Sequence, residues 1–228
     1  MVMATDMATD MAMVTAIVTV MVTDIIPKTK RSNYLGGEKS WDSLSENNMQ
    51  IIEQALNGLC VIKTDVFKDN RGYFLESFHE GKLKQAGIEH NFLQDNFSQS
   101  AKNVLRGLHY QNPPFAQGKL VKVISGAVFD IAVDIRPKSP TFGKNFSIQL
   151  NQDEHIMLWI PEGFAHGFVS LEDNTIFYYK CTNIYNRQYE AGIRYNDPDL
   201  NINWGVSNPI LSEKDKLLPE FKNATILF

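Results

Sequence analysis

The feature that most limits the fold is a succession of short strand-like segments between residues 59 and 182, broken by Gly, Pro, Asn and Asp. In the clearest, AVFDIAVDI (127–135), every odd-numbered position is apolar, while Asp130 and Asp134 fall on the other face. Only residues 79–87 and 211–221 have a helical pattern. Many short strands with little helix predict an all-β fold, an antiparallel barrel or jelly roll with a few short helices.

Ten segments are predicted as strands, and turn residues separate most of them. They are LCVIKTD (59–65), YFLESF (73–78), FLQDNFS (92–98), NVLRGLHYQ (103–111), KLVKVI (119–124), AVFDIAVDI, NFSIQL (145–150), IMLWI (156–160), HGFVSL (166–171) and TIFYYKCT (175–182). Ser125-Gly126 predicts a hairpin turn between the fifth and sixth segments. Strands this closely spaced leave no room for a second domain, so residues 49–228 are interpreted as one domain.

Residues 1–48 differ from the rest of the chain. They begin with a degenerate M-(A/V)-T-x repeat, and the uncharged run at 11–23 has the length of a signal-peptide core. However, Asp6 and Asp10 stand where a signal peptide has basic residues, and the run is too short to span a bilayer. We interpret residues 1–48 as a disordered, low-complexity leader ahead of a second possible start at Met49. A targeting role is the alternative.

Composition limits the partners and the compartment. The net charge is −4, which gives no reason to expect nucleic acid as a partner. Cys60 and Cys181 occur in no C-x-x-C or Cys/His spacing, so neither a zinc finger nor a disulfide framework is predicted. We therefore expect a protein of a reducing compartment, the cytoplasm, with no membrane partner.

The segment RGLHYQ (106–111) combines a cation with a histidine. In a regular strand Arg106 and His109 would face opposite sides, so a shared pocket requires a β-bulge at Gly107. From the residues alone, His109 can be a buried core histidine, a metal ligand or a proton-transfer group.

A second histidine, His166, ends the pattern P-x-G-x-x-H at residues 161–166 and resembles the second motif of cupins. The first cupin motif contains H-x-H, whereas this chain has His109-Tyr110-Gln111. Two histidines and a glutamine form a poor metal-ligand set, so no metal is predicted. A metal-dependent cupin is the alternative.

Seven motifs in order, RGLHYQ, QGKLVKV, DIRPKSPTFG, WIPEGFAHGF, YYKCTNIY, IRYNDPDLNINW and LSEKD, resemble the dTDP-4-dehydrorhamnose 3,5-epimerase family. The resemblance extends from about Met49 to Pro219. It implies a cupin-like jelly roll that acts as a homodimer without metal or cofactor. The implied substrate is a dTDP-linked 4-ketosugar, dTDP-4-dehydro-6-deoxy-D-glucose, epimerised at C3 and C5 on the route to dTDP-L-rhamnose.

By the same resemblance, His109 is the base, Asp215 its partner, Tyr179 the acid and Lys119 the group that stabilises an enolate. The residues that would hold the nucleotide sugar are Arg71, Glu76, Gln94, Asp95, Asn96, Arg106, His166, Glu190 and Lys214. Arg71 and Glu76 would come from the neighbouring subunit. These residue types suit the chemistry, because histidine titrates near neutral pH and a fixed cation stabilises an enolate.

Several interpretations remain open at the level of sequence. Tyr178 and Tyr179 cannot be distinguished as the acid without the resemblance. Ser212 to Asp215 is also an ordinary helix start, with Ser212 as the N-cap. Besides the double epimerase, the alternatives are a monofunctional 3- or 5-epimerase of a related nucleotide ketosugar and a non-catalytic sugar-nucleotide-binding cupin.

Overall fold

The computed structural model describes residues 49–228. The leader predicted for residues 1–48 lies outside the described residues. Within 49–228 the strands are β1 (Met49–Ala55), β2 (Leu59–Thr64), β3 (Val66–Asp69), β4 (Gly72–Leu75), β5 (Gln94–Ser100), β6 (Leu105–Gln111), β7 (Lys119–Ser125), β8 (Ala127–Asp134), β9 (Asn145–Asn151), β10 (Ile156–Ile160), β11 (Phe164–Ser170), β12 (Thr175–Cys181) and β13 (Glu190–Gly192). Helices are short: α1 (Glu80–Gln85), α2 (Glu213–Lys216) and a 3₁₀ helix (Phe221–Asn223).

The strands form two main sheets, in which neighbouring strands are antiparallel. One has six strands in the order β1-β2-β10-β7-β12-β5, and the other has five in the order β13-β6-β11-β8-β9. A separate hairpin joins β3 and β4. The order is non-sequential in both sheets, as in a cupin-like jelly roll, and the predicted all-β class is confirmed.

The core lies between the two sheets, where side chains of both inner faces meet. Val121 and Phe177 come from the six-stranded sheet, and Val128 and Phe168 come from the five-stranded sheet. The alternation in β8 explains its position: Val128 faces this core, while Ile131 and Val133 pack outward against the C-terminal segment. Burying both faces of β8 fixes its register, because a slip by one residue would exchange the two faces.

The structure corrects one predicted connection and adds three strands. β7 and β8 belong to different sheets, so the predicted hairpin at Ser125-Gly126 is wrong, and this short link crosses between the sheets. The sequence also missed β1, β3 and β13. The last is only three residues long, and the alternation in β1 is weakened by Gln50 and Glu53 at its exposed and half-buried positions.

Within residues 49–228, no helix is long and apolar enough to cross a membrane.

Candidate active site

A cavity of about 430 Å³ opens between the two sheets and is bounded on one side by the segment before and within α2. More than half of the predicted site residues line it: Arg106, His109, Lys119, His166, Tyr179, Lys214 and Asp215. Residues from five different elements therefore converge on one cavity, although the set spans more than a hundred positions of the chain.

A β-bulge in β6 brings Arg106 and His109 to the same cavity. His166 of β11 lies opposite His109, and Phe168 lies opposite Arg106, so Gly107 and Leu108 together face the single residue Gly167. One strand thus has one residue more than its partner, which is the definition of a bulge. The predicted bulge is confirmed, and it turns Leu108 into the core on the other side of the sheet.

The bulge depends on glycine at position 107. Gly107 has φ +131°, a conformation that side chains disfavour, and a Cβ there would lie 2.5 Å from the Cα of Gly167. The two backbones approach this closely only because both positions lack a side chain. This glycine pair is the local reason why RGLHYQ can present a cation and a histidine on one face.

His109 is paired with Asp215 on α2. The Nε2 atom of His109 lies 2.6 Å from Oδ1 of Asp215, and the side chains are 30% and 5% exposed. Burial alone would raise the pKa of Asp215, but the hydrogen bonds from His109 and Ser212, together with the charges of His109 and Lys214, outweigh it and the pKa is lowered. Ser212 also caps α2, its Oγ accepting from the Asp215 amide at 3.1 Å. The helix-start interpretation and the pairing with histidine therefore both hold.

The facing sheet supplies Lys119 and Tyr179. The Nζ atom of Lys119 donates to the backbone oxygen of His109 at 3.4 Å. Burial lowers the pKa of Lys119, opposed by the nearby Cys181 and Asp130, and burial raises the pKa of the Tyr179 hydroxyl. A cation and a phenol thus occupy the wall opposite the histidine.

The two tyrosines of β12 lie on opposite faces of the sheet. Tyr179 lines the cavity, whereas Tyr178 is on the outer face and donates from its hydroxyl to Oδ2 of Asp95 at 2.9 Å. Asp95, predicted to bind substrate, therefore has its side chain on the face away from the cavity, where it also accepts from Lys180 at 2.7 Å. Alternation along antiparallel strands places neighbouring residues on opposite faces.

Arg106 is held against the cavity wall by β5. Its Nε donates to Oγ of Ser100 at 3.2 Å, and one terminal nitrogen donates to the backbone oxygen of Gln99 at 3.3 Å. The remaining guanidinium donors stay available for an anion, and the fork geometry of arginine suits a phosphate.

His166 is almost fully buried and paired with Asp130 of β8. Its Nε2 atom lies 3.0 Å from each carboxylate oxygen of Asp130. Asp130 has no exposed surface and was assigned no role from the sequence. The signal was present in AVFDIAVDI: a charged residue on the face of a strand that is buried on both sides requires a partner.

At the edge of the cavity, Lys214 forms an ion pair with Glu190. The other carboxylate oxygen of Glu190 accepts from the hydroxyl of Tyr185 at 2.9 Å, and the Tyr185 amide donates to Gln94 at 2.7 Å. Gln94 in turn donates to Asn96 at 3.0 Å. Tyr185, which sequence reasoning missed, bonds directly to two of the predicted binding residues, Glu190 and Gln94, and through them is linked to Lys214 and Asn96. An aromatic side chain in the polar loop after β12 was the available signal.

Arg71 and Glu76 do not line this cavity. Arg71, in the turn between β3 and β4, forms an ion pair with Asp69 at 2.6 Å, and its side chain is 74% exposed. Glu76 follows β4 and forms an ion pair with Lys82 at 2.7 Å.

Potential metal ligands do not cluster in the part of the chain that the structure describes: no group of three or more His, Cys, Asp or Glu side chains there could hold a metal ion.

Comparison with known proteins adds independent evidence. A family model described as dTDP-4-dehydrorhamnose 3,5-epimerase matches residues 53–223. The dTDP-4-dehydrorhamnose 3,5-epimerase of Shigella flexneri is 49% identical over 168 residues, which cover 73% of this chain and 93% of the relative.

Solved structures agree with this match. The dTDP-6-deoxy-D-glucose-3,5-epimerase of Legionella pneumophila, in complex with dTDP-4-keto-L-rhamnose, is 44% identical with a TM-score of 0.74, covering 77% of this chain and 94% of the other. A 3'-monoepimerase from Streptomyces bikiniensis, in complex with dTDP-quinovose, is 29% identical with a TM-score of 0.70. The match covers 74% of this chain and 86% of the monoepimerase. The chain belongs to the dTDP-4-dehydrorhamnose 3,5-epimerase family.

Proposed function

We propose that this protein is a dTDP-4-dehydrorhamnose 3,5-epimerase that inverts C3 and C5 of dTDP-4-dehydro-6-deoxy-D-glucose in dTDP-L-rhamnose biosynthesis. The observation that carries the proposal is one cavity with the His109–Asp215 pair on one wall and Lys119 and Tyr179 on the other. Family membership supports the same activity. The two free, buried cysteines agree with the cytoplasm as its compartment.

His109 acts as the base in this proposal. A carboxylate only accepts hydrogen bonds, so the bond to Asp215 keeps the proton on Nε2 and leaves Nδ1 as the basic atom. The imidazole removes a proton from the carbon next to the C4 ketone, and the electron pair moves onto the C4 oxygen. Lys119 stabilises the resulting enolate, since a fixed cation in a dry site has a large effect on developing charge.

Tyr179 returns a proton to the opposite face of that carbon, which completes the inversion. The hydroxyl proton of Tyr179 becomes the new C–H bond, and solvent later restores the phenol and removes the proton from His109. The same cycle at the second carbon gives the double epimer. No electron is gained or lost overall, so the proposed reaction requires no redox partner.

The diphosphate is expected near Arg106 and Lys214, which place cations at the cavity. Gln94, Asn96 and Glu190 surround Tyr185 at the edge, and we expect this group to hold the nucleoside. Asp95 contributes through its backbone in this scheme, because its side chain is bonded on the other face.

Arg71 and Glu76 would serve the cavity of a second copy, which makes the protein a homodimer. The outer face of the six-stranded sheet supports this arrangement, since Phe97 is 77% exposed and Ile124 is 45% exposed there. A mixture of His109→Ala and Arg71→Ala chains tests it by complementation. Each mixed dimer contains one intact site, so a 1:1 mixture should recover about a quarter of the wild-type activity. No recovery, with mixed dimers present, would place Arg71 outside the partner's site.

A second candidate is a monofunctional epimerase, favoured by the similarity to the Streptomyces 3'-monoepimerase. Incubation of the protein with dTDP-4-dehydro-6-deoxy-D-glucose in deuterated water separates the candidates by NMR. Deuterium at both C3 and C5 supports the double epimerase, and label at one carbon supports the monofunctional enzyme. Tight binding without label would leave a non-catalytic sugar-nucleotide-binding cupin.

A further inference from the structure

Two histidines line the cavity, each paired with a carboxylate, and the proposed mechanism uses only one of these pairs. His109 and His166 lie directly opposite each other on β6 and β11, on the same face of the sheet. His109 is paired with Asp215, and His166 is paired with Asp130. The histidine of the second pair is far more buried: the side chain of His166 is 7% exposed, compared with 30% for His109, and Asp130 is 0% exposed.

The geometry of the second pair determines which nitrogen of His166 carries the proton. Both oxygens of Asp130 lie 3.0 Å from Nε2. A carboxylate has only acceptors, so Nε2 must be the donor. Among residues 49–228, the side-chain hydrogen bonds of His166 are those between Nε2 and Asp130, and His166 lines the cavity.

The charges around His166 indicate whether Nδ1 is also protonated. Burial lowers the pKa of His166, and Lys119 and His109 lower it further, while Asp130 opposes them; the result is a pKa below the ordinary value. A lowered pKa favours the neutral imidazole near pH 7, and in that form Nδ1 carries a lone pair while the ring lines the cavity. A neutral acceptor is poorly suited to an anionic diphosphate, for which Arg106 and Lys214 are present.

We propose that Asp130 is a positioning residue that fixes His166 as a hydrogen-bond acceptor, so that His166 recognises a hydroxyl group of the sugar ring. The inference rests on the proposed function and names what this part of the cavity selects: a ketosugar with a hydroxyl at C2 or C3, in preference to its deoxy analogue. A buried acceptor left without its donor is costly, so a site of this kind rejects the analogue that lacks the hydroxyl.

The first test measures the tautomer directly and requires no substrate. The chain has five histidines, so histidine labelled with ¹⁵N gives a long-range ¹H–¹⁵N spectrum with few signals. The signal of His166 is assigned by its loss in His166→Gln. We expect a proton on Nε2 and none on Nδ1 at pH 7. A proton on Nδ1, alone or together with Nε2, would overturn the proposal.

The second test changes the carboxylate. Asp130→Asn keeps the shape but can donate from its amide to Nε2, which moves the imidazole proton to Nδ1 and converts the acceptor into a donor. Asp134→Asn is the matched control, because Asp134 is another fully buried aspartate of β8 that does not line the cavity. The spectrum of His166 should change in the first variant and remain unchanged in the second.

The functional measurement is kcat/KM for deuterium exchange at C5 with the full ketosugar and with its 2-deoxy and 3-deoxy analogues. The wild-type protein should prefer the hydroxylated sugar over one of the analogues by about tenfold or more. Asp130→Asn should reduce that preference to about twofold or less, with dTDP affinity unchanged. An unchanged preference in Asp130→Asn, with an altered tautomer, would contradict hydroxyl recognition. Absence of exchange in the wild-type protein would instead refute the proposed function and leave the tautomer result standing.

Discussion

The Nε2 atom of His109 lies 2.6 Å from Oδ1 of Asp215, although 106 positions separate the two residues in the chain. His109 is held in β6 by strands on both sides, whereas Asp215 is held by the short helix α2, whose start is capped by Ser212. The pair therefore joins the sheet to the C-terminal segment, and it is the Nε2 atom of His109 that makes this contact.

Replacing Asp215 by Asn should reduce turnover much more than substrate binding. The amide can donate to Nε2 and favours the wrong tautomer of His109, so we expect kcat to fall by about 10²-fold or more while KM changes little. Glu213→Gln, an exposed residue of the same helix, should leave kcat unchanged. Steady-state kinetics decide the matter: a fall in kcat of less than about threefold in Asp215→Asn would argue against the pairing as a catalytic device.

The two tyrosines of β12 provide a matched pair. Tyr179→Phe removes the hydroxyl on the cavity wall and should lower the rate of epimer formation by about 10²-fold or more, because general-acid catalysis contributes that much. Tyr178→Phe removes a hydroxyl on the outer face and should retain the wild-type rate. Equal effects of the two substitutions on product formation, followed by NMR, would refute the assignment of Tyr179 as the acid.

Gly107→Ala should disrupt the bulge. The new Cβ would lie 2.5 Å from the Gly167 Cα, and φ would remain at +131°. Gly107→Ala combines backbone strain with a steric clash, and Gly72 offers a control for the strain. Gly72 has φ +132°, but a Cβ added there would meet nothing within 4 Å, so Gly72→Ala tests backbone strain alone. We expect about 1–3 kcal/mol from strain in Gly72→Ala and a larger loss in Gly107→Ala, measured as the free energy of unfolding in urea. Equal losses of unfolding free energy in the two variants would mean that the clash between β6 and β11 does not destabilise Gly107→Ala.

Acid should weaken the fold through Asp134. Burial alone would raise the pKa of this carboxyl, but hydrogen bonds from Arg136 and from Ser139 and Thr141 outweigh it and lower the pKa from 3.8 to about 2. A carboxyl with a depressed pKa contributes stability that is fully present above pH 4 and is lost as the pH falls towards 2. Asp134→Asn should therefore flatten the decline of unfolding free energy between pH 4 and 2. The exposed control Asp153→Asn should keep the wild-type slope, and a wild-type slope in both variants would contradict the role of Asp134.

The sequence predicted the fold class from local patterns, whereas it predicted most of the cavity-lining residues only through the resemblance of seven motifs to a known family. Alternation located β8, and the bulge at Gly107 followed from the need to bring Arg106 and His109 together. The hairpin at Ser125-Gly126 was predicted wrongly, because a short turn looks the same whether it joins paired strands or crosses between sheets. Only the non-local pairing of β7 with β10 and β12 excludes the hairpin.

Other parts of the site depend on contacts that no local pattern encodes. The choice between Tyr178 and Tyr179 requires knowing which face of β12 is inside, and the pairing of Asp130 with His166 requires the alignment of β8 with β11. The placement of Arg71 and Glu76 relative to a second copy remains a prediction, since their positions in one chain only exclude them from its own cavity lining.

The most direct test of the central claim is deuterium exchange by His109→Ala, with the exposed histidine variant His90→Ala as control. Both proteins are incubated with dTDP-4-dehydro-6-deoxy-D-glucose in deuterated water, and dTDP binding is measured in parallel. If His109 is the base, His109→Ala retains dTDP binding but incorporates no label at C3 or C5, while His90→Ala labels the sugar like the wild-type protein. Label at either carbon at a rate within about tenfold of wild type in His109→Ala would contradict the account, because loss of a general base lowers rates by more than that.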